Sequence, residues 1–296
     1  MQITTDTNEL RRALLAYKLN EERIAFIPTM GNLHEGHLYL VERAKALAKR
    51  VVVSIFVNPI QFDRTEDLDN YPRTEQQDQA KLRELGVDVL FMPQACVMYP
   101  NPQLTMKIFV GELGDILEGQ SRDGHFSGVA TVVNKLFNLV QPDIALFGEK
   151  DFQQLMIIRQ MVECFEMPIE IVGIPTVREF DGLAMSSRNG YLTTSERVKA
   201  PHLYQSLAWI AEKLERRRLC SEELCRHLED AAHDRLINAG LKPDYITVRR
   251  QVDLQQPWRC ADSNGCDNDQ ANKKLVVLGS AWLGKARLID NIPLTV

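Results

Sequence analysis

The sequence lacks the features that direct a chain into or across a membrane. No apolar run approaches the roughly 18 residues that a membrane span needs. The N-terminal stretch MQITTDTNELRRALL has no apolar core and no cleavage site, so it is not expected to be a secretory signal. It reads instead as a strand end followed by an amphipathic helix. Basic excess is absent too: 35 Lys and Arg stand against 40 Asp and Glu, a net charge of −5, and no nucleic-acid partner is expected. Six cysteines in 296 residues (Cys96, Cys164, Cys220, Cys225, Cys260 and Cys266) make no disulfide framework, and a reduced cytoplasm is the simpler reading. None forms the tight C-x2-C pair of a structural zinc site. Cys260 and Cys266 flank a polar loop, Cys220 and Cys225 lie near a helix start, and these thiols read as small apolar or incidental groups. There are no internal repeats and no long low-complexity tracts.

What is present is ordinary soluble-globular composition, 45% hydrophobic and 25% charged, over a length that suits one large or two ordinary domains. Up to Pro175 strand and helix patterns alternate. Strands are expected at Ile24–Pro28, Val51–Val57, Val87–Met92, Met106–Val110, Asp143–Phe147 and Ile169–Ile174. Runs such as VVVSIFV suit parallel strands covered on both faces. Helices are expected between them at Leu38–Lys49, Thr74–Leu85, Val129–Val140 and Gln153–Glu163. The alternation predicts an α/β fold with a doubly wound parallel sheet over residues 1–175. After Pro175 the pattern changes to helices at Thr194–Arg217 and Ser221–Ala239, then short strands at Tyr245–Arg249, Leu275–Leu278 and Arg287–Asp290. Residues 176–296 therefore read as a second, smaller α+β domain, with an exposed polar loop between Leu254 and Lys273.

Four stretches carry candidate chemistry. PTMGNLHEGH (Pro28 to His37) sits where an apolar strand becomes a helix, the place where open α/β sheets bind ligands. Helix-terminal N–H groups favour anions, Gly31 and Gly36 let backbone approach a ligand, and His34 and His37 add donors; a nucleotide phosphate is the first candidate. SIFVNPIQF presents the neutral amides of Asn58 and Gln61 at another strand end, suited to a hydroxyl or carboxylate, although taken alone it reads as an ordinary loop. FGEKDFQQ places Lys150 at a strand end, where it could neutralise a phosphate, or equally form a surface charge cluster. DGLAMSSRNGYLT sets two hydroxyls beside Arg188, a donor set for phosphate oxygens or simply a polar interdomain loop. Two smaller stretches follow. SRDGHFSGV reads as a mobile cover with Arg122 and His125. YPRTEQQD ends in Asp78, an exposed helix start that could also reach magnesium.

A HIGH-like turn followed by a KMSKS-like Ser-Ser-Arg loop resembles the nucleotidyltransferase superfamily. The words PTMGNLHEGH, VVSIFVNPIQF, YPRT, GHFSGVATVVNKLFNLVQPDIALFGEKDFQQ, DGLAMSSRNGYL and WLGKARLIDN are similar to those of the pantoate–β-alanine ligase family, in order and over nearly the whole chain. The stretch from Gln255 to Asn272 is longer than that family's usual turn. The resemblance implies a Rossmann-like first domain, a second domain that closes over the active site, a homodimer, and ATP with Mg2+. It also implies the reaction. Pantoate attacks the α-phosphorus of ATP to give pantoyl adenylate, and β-alanine then displaces AMP to give pantothenate for coenzyme A synthesis.

The resemblance assigns roles residue by residue. Met30, Gly31, Asn32, Leu33, His34, Glu35, Gly36 and His37 match the nucleotide-binding turn, with His37 at the proton-donor position. Gln61 and Gln154 match the amides that hold pantoate, and Gln61 also lies near β-alanine. Gly148, Glu149, Lys150 and Asp151 match a second nucleotide-contacting stretch, and Val177 a backbone contact to adenine. Met185, Ser186, Ser187 and Arg188 match the loop that clamps the triphosphate. Asp78 is the expected magnesium contact. Other adenylate-forming relatives would share the first-domain motifs without the Gln61 and Gln154 pair. A binding protein that had lost catalysis would not be expected to keep His34, His37, Lys150, Ser186, Ser187 and Arg188 together.

Overall fold

The computed structural model describes residues 1–62, 68–101, 106–218, 220–258 and 273–296. The chain divides into two compact units, Met1–Glu149 with Gln153–Pro175, and Lys150–Phe152 with Thr176–Val296. Lys150 to Phe152 thus belong with the second unit, although the sequence places them inside the span expected for the first domain.

The first unit opens with β1 (Gln2–Thr4) and α1 (Thr7–Leu19), whose N-cap Asp6 accepts the N–H groups of Asn8 and Glu9. It continues with β2 (Ile24–Thr29), α2 (Glu35–Leu47), β3 (Arg50–Ile55), α3 (Glu75–Glu84), β4 (Val89–Phe91), and the short helices α4 (Ala95–Met98) and α5 (Glu118–Ser121). Then come α6 (His125–Val140), β5 (Ile144–Gly148), α7 (Phe152–Cys164) and β6 (Glu170–Ile174). The strands form one sheet in the order β1-β4-β3-β2-β5-β6, and every pairing is parallel. Residues Val51 to Ile55 of β3 are all buried, as a central strand covered on both faces requires. From β2 the chain builds outward through β3 to β4, then returns to the other side of β2 to place β5 and β6. The order reverses between β2 and β5, and the crevice outside the carboxyl ends of the strands at such a reversal is where ligands bind in open α/β sheets. Phe26, Phe137 and Phe147 pack edge to face beneath it, with ring centroids 6.3 and 6.4 Å apart.

The second unit contains α8 (Thr194–Lys199), α9 (His202–Arg217), α10 (Glu222–Asn238), β7 (Lys242–Arg250), β8 (Lys274–Leu283) and β9 (Ala286–Thr295). The strands form an antiparallel sheet in the order β7-β8-β9. Leu207, Ile210 and Leu214 of α9 and Leu228 and Leu236 of α10 share one core with Val248, Leu275, Val277 and Leu288. The expected single helix over Thr194–Arg217 is two, because Pro201 has no N–H to continue the first. The expected strand at Met106–Val110 is not one: Ile108 donates its N–H to the Thr131 hydroxyl (2.9 Å) instead of to a ladder, and Met106 and Phe109 are exposed. Cys260, Cys266 and most of the polar loop lie outside the described residues.

Candidate active site

At the end of β2 the Thr29 hydroxyl donates to the Ser54 carbonyl (2.8 Å) and accepts the Gly31 N–H (3.2 Å). Gly31 and Asn32 then adopt left-handed backbone, with φ of 83° and 52°. A Cβ on Gly31 would lie 3.0 Å from Ile55 Cγ2, so both its φ and the space favour glycine. The turn is tied down from α3. Asp78, 1% exposed, accepts the Asn32 N–H at Oδ2 (2.8 Å) and the Leu33 N–H at Oδ1 (2.9 Å), and Thr74 donates its hydroxyl to Oδ2 (3.1 Å). Lys81 donates to the Leu33 carbonyl (2.5 Å). Thr74, Asp78 and Lys81, spaced i, i+4 and i+7, present one helix face to the turn. This corrects the reading of Asp78 as an exposed helix start. It also conflicts with the magnesium contact, because three of about four carboxylate acceptor positions are taken by protein donors. Among the described residues no cluster of three or more His, Cys, Asp or Glu could hold a metal ion.

His34 is the N-cap of α2. Its Nδ1 accepts the Gly36 N–H (3.2 Å), while His37 Nδ1 accepts the His34 N–H (3.4 Å), so the pair forms a reciprocal capping box from two imidazoles. A backbone N–H only donates, so neither Nδ1 carries the proton, and in each neutral ring the hydrogen sits on Nε2. The rings lie 4.2 Å apart between centroids. The amides of Gly31, Asn32, Leu33, His34 and Gly36 all have acceptors inside the protein. These five amides are therefore held within the turn and do not await an anion, which narrows the expectation drawn from the helix N-terminus. What the turn can offer a phosphate is a pair of imidazole donors held in one tautomer.

β3 neighbours β2, so its carboxyl end brings Asn58 and Gln61 beside this turn. Pro59 holds Asn58 extended (φ −81°, ψ 110°), and Pro59–Gln61 form a short 3-10 turn. A hydrogen-bond chain runs through the site. Tyr99 donates its hydroxyl to Asn58 Oδ1 (2.8 Å); Asn58 Nδ2 donates to Gln61 Oε1 (3.0 Å) and to the Gly128 carbonyl (3.2 Å); Gln61 Nε2 reaches Met30 Sδ (3.1 Å). Burial pushes the Tyr99 phenol well above its ordinary range, which keeps it a donor. Asn58, 1% exposed, has both N–H donors engaged, so it orients Gln61 and has little left for a substrate. Gly128 sits against the same turn: a Cβ there would lie 2.4 Å from the Ile60 carbonyl oxygen and 2.7 Å from Gln61 Cα. His125 is buried at the start of α6, with Nδ1 2.8 Å from the Gln61 carbonyl and Nε2 2.9 Å from Arg122 Nη1. Within the stretch read as a mobile cover, His125 is a buried anchor for Gln61, while Ser121, Asp123 and Gly124 are exposed.

After β5 come Gly148 and a 3-10 turn at Glu149–Asp151 that leads into α7. Lys150 Nζ lies 3.7 Å from Asp151 Oδ1. Gln153 is 3% exposed and fully occupied. Its Oε1 accepts the Glu118 N–H (3.2 Å), and its Nε2 donates to the Leu113 (2.7 Å) and Ile116 (2.8 Å) carbonyls. Gln154, the next residue on the helix, is half-buried.

In the second unit Val177 begins a hairpin. The Met185 N–H donates to the Val177 carbonyl (3.0 Å), Glu179 pairs with Leu183 (2.8 Å), and Arg178 bridges Ala184. The Arg178 guanidinium donates to Gly182 O (3.0 Å), forks onto Asp290 (2.6 and 2.9 Å) and lies 4.1 Å from the Tyr204 ring centroid. Burial raises the Asp290 carboxyl while Arg178 pulls it back. Ser186 caps the 3-10 turn Ser187–Tyr191, its Oγ accepting the Arg188 N–H (3.2 Å) and its own O–H remaining to donate. Asn291, next to Asp290 on β9, donates to the Lys150 carbonyl (2.9 Å). One pair of residues in the word RLIDN therefore positions both the hairpin before the Ser-Ser-Arg loop and Lys150. Nothing local in the sequence marks Asp290, Asn291, Tyr99 or Arg178 for these tasks, because their partners lie 41 to 141 positions away.

Comparison with known proteins agrees along the whole chain. Residues 2–293 match the family model described as pantoate-beta-alanine ligase. A pantothenate synthetase of Vibrio parahaemolyticus is 52% identical over 98% of this chain and 92% of its own. The crystal structure of pantothenate synthetase from Thermus thermophilus superposes with a TM-score of 0.86 at 41% identity, covering 99% of each chain. A Francisella tularensis pantoate-beta-alanine ligase, solved in complex with beta-gamma ATP and beta-alanine, gives 0.77 at 34% identity over 99% of this chain and 97% of that one. With a family model spanning nearly every residue and relatives this similar over more than nine-tenths of their lengths, the chain belongs to the pantoate-beta-alanine ligase family.

Proposed function

We propose that this chain condenses pantoate with β-alanine at the expense of ATP, and that the residues at the carboxyl ends of β2, β3 and β5 carry the reaction. One observation supports it above the others. The two imidazoles and the Gln61 amide stand on adjoining strand ends beside the sheet's reversal point, and Gln61 touches Met30 of the histidine turn. The reaction has two displacements. The pantoate carboxylate attacks the α-phosphorus, and pyrophosphate leaves. The neutral amine of β-alanine then attacks the acyl carbon of the adenylate, AMP leaves with the bonding pair, and the ammonium proton passes to solvent. Each nucleophile belongs to a substrate, so the protein supplies positioning and charge stabilisation.

His34 and His37 donate Nε2–H to phosphate oxygens as charge builds, their tautomer fixed by the capping box. Gln61, oriented by Asn58 and Tyr99, and Gln154 hold pantoate. Lys150 and the Ser186, Ser187 and Arg188 loop neutralise the phosphates, and Val177 offers backbone to adenine. Magnesium enters with the nucleotide, held by phosphate oxygens and water, because Asp78 is already engaged by the turn. The enzyme works in the cytoplasm, in keeping with its described cysteines being free thiols. Among the described residues no helix is long and apolar enough to cross a membrane. A homodimer would cover the depression lined by the exposed Met106, Phe109 and Phe165. The test supplies Mg·ATP and pantoate with and without β-alanine and follows pyrophosphate, AMP and pantothenate. Equal AMP and pantothenate, formed only with β-alanine, is the expected result; absence of pyrophosphate under every condition overturns it.

A further inference from the structure

We infer that Cys220 and Cys225 form a reversible dithiol–disulfide site at the start of α10, oxidised by small-molecule disulfides. Ser221 is the N-cap of α10, its Oγ accepting the Leu224 N–H at 3.2 Å. Cys220 is therefore the residue before the cap and Cys225 the fourth helical residue, the two positions whose side chains meet across a helix entrance when both are apolar. Here both are thiols, and their sulfurs lie 2.8 Å apart. A disulfide bond is about 2.05 Å, so closure moves the sulfurs by less than about 1 Å. The two differ in access: Cys225 is fully buried in the core of the second unit, Cys220 half-buried. Sulfur-to-sulfur hydrogen bonding holds the Cys220 thiol below its usual range and pushes that of Cys225 up, while Glu229 opposes ionisation of both.

The asymmetry orders the exchange. The Cys220 thiolate attacks one sulfur of a disulfide RSSR, and RS− leaves to give a mixed disulfide at Cys220. Cys225 loses its proton and attacks the Cys220 sulfur, displacing the second RS−. Two protein thiols are oxidised by two electrons, RSSR is reduced to two thiols, and the new bond joins the α10 cap to its first turns. The pair shares no residue with those assigned to the ligase reaction and does not rest on those assignments.

The test exposes the folded protein to oxidised glutathione, quenches with acid and maps tryptic peptides. The peptide LCSEELCR (residues 219–226) contains both cysteines. It is expected lighter by two hydrogens and free of glutathione, while the exposed Cys96 and Cys164 appear as thiols or glutathione adducts. Dithiothreitol should restore both thiols. Cys225→Ala, a small apolar replacement in the core, should leave a lasting glutathione adduct on Cys220. Cys220→Ser should abolish oxidation of the peptide. Finding the peptide reduced while Cys96 and Cys164 are modified, or linked to Cys260 or Cys266, overturns the inference. So does a Cys225→Ala protein whose Cys220 takes up no glutathione.

Discussion

Replacing Asp78 by Asn distinguishes an anchor of the turn from a metal ligand. The two side chains have nearly the same shape, but Asn has one acceptor oxygen where Asp78 now receives N–H groups at both, from Asn32 and Leu33. One of the two amides would face the new NH2 group, donor against donor. A hydrogen bond to a charged group contributes about 1.5–3 kcal/mol, and a buried donor left unpaired costs about 1–3 kcal/mol. The two overlap, since the unpaired donor is what the lost bond leaves behind, and the turn is destabilised by about 2–4 kcal/mol. Against a total stability of about 5–15 kcal/mol for a typical domain, the fold survives. A chain of two units need not unfold in one step, so the loss is best read locally, by amide hydrogen exchange in the peptide that spans Asn32 and Leu33. The expected acceleration is about 30- to 700-fold, at about 1.4 kcal/mol per factor of ten. Displacing the imidazoles by a fraction of an ångström should lower kcat/KM for ATP by up to about 10²-fold. Unchanged exchange at the turn, combined with a shift in the magnesium concentration needed for activity, would refute the anchor and reinstate the metal contact.

His37→Ala should lower kcat by about 10²-fold through loss of a transition-state donor, while the lost cap interaction costs only about 0.5–1 kcal/mol of stability; an unchanged rate with a lowered Tm defeats the role. Gln61→Ala should raise KM for pantoate by about tenfold or more and leave that for ATP nearly unchanged, at about 1.4 kcal/mol per tenfold. Tyr99→Phe, which removes the donor to Asn58, should move the same constant less, and an effect on ATP alone would exclude both. Gly128→Ala must push α6 from the Ile60 carbonyl, since the new Cβ would lie 2.4 Å from its oxygen; a loss of about 1–3 kcal/mol with a raised pantoate KM is expected, and a native melting curve would show that the helix yields freely. For pH, the hydrogen bond from Arg197 lowers the Asp181 carboxyl below its ordinary value of 3.8. Its contribution is therefore present above the unfolded pKa and is lost as pH falls through the folded one. Arg197→Gln should be less stable than the parent near pH 7, with the gap closing at acid pH in urea titrations; a gap constant with pH removes this pair from the account.

The sequence made the strands legible where one physical period dominated. VVVSIFV has no polar residue to expose beyond Ser54, and the structure buries Val51 to Phe56. The same logic failed at Met106–Val110, where β-branched and aromatic residues suggested a strand but Ile108 is tied to Thr131 by a side-chain hydrogen bond. Local preference cannot announce a partner 23 positions away. The site divides along the same line. Motif words pointed to the histidine turn, Gln61 and the Ser-Ser-Arg loop, because within each word the polar groups stand a few residues apart at the end of a strand or at a turn. They did not reveal what holds the groups still, since Asp78 lies 46 positions from Asn32 and Asn291 lies 141 from Lys150.

The turn shows why that second layer matters to function. Read from sequence, a strand-to-helix turn with two glycines presents backbone amides to an anion. In the structure an internal carboxylate and the two imidazoles already accept those amides. A loop in which the amides of Gly31 to His34 and of Gly36 are held by internal acceptors keeps its shape before any ligand arrives, and the same hydrogen bonds set the tautomer of the two imidazoles. Catalysis by positioning requires a donor that does not reorganise as charge develops. The internal hold on the amides and the fixed imidazoles are thus one arrangement, and Asp78 secures its Asn32 and Leu33 end.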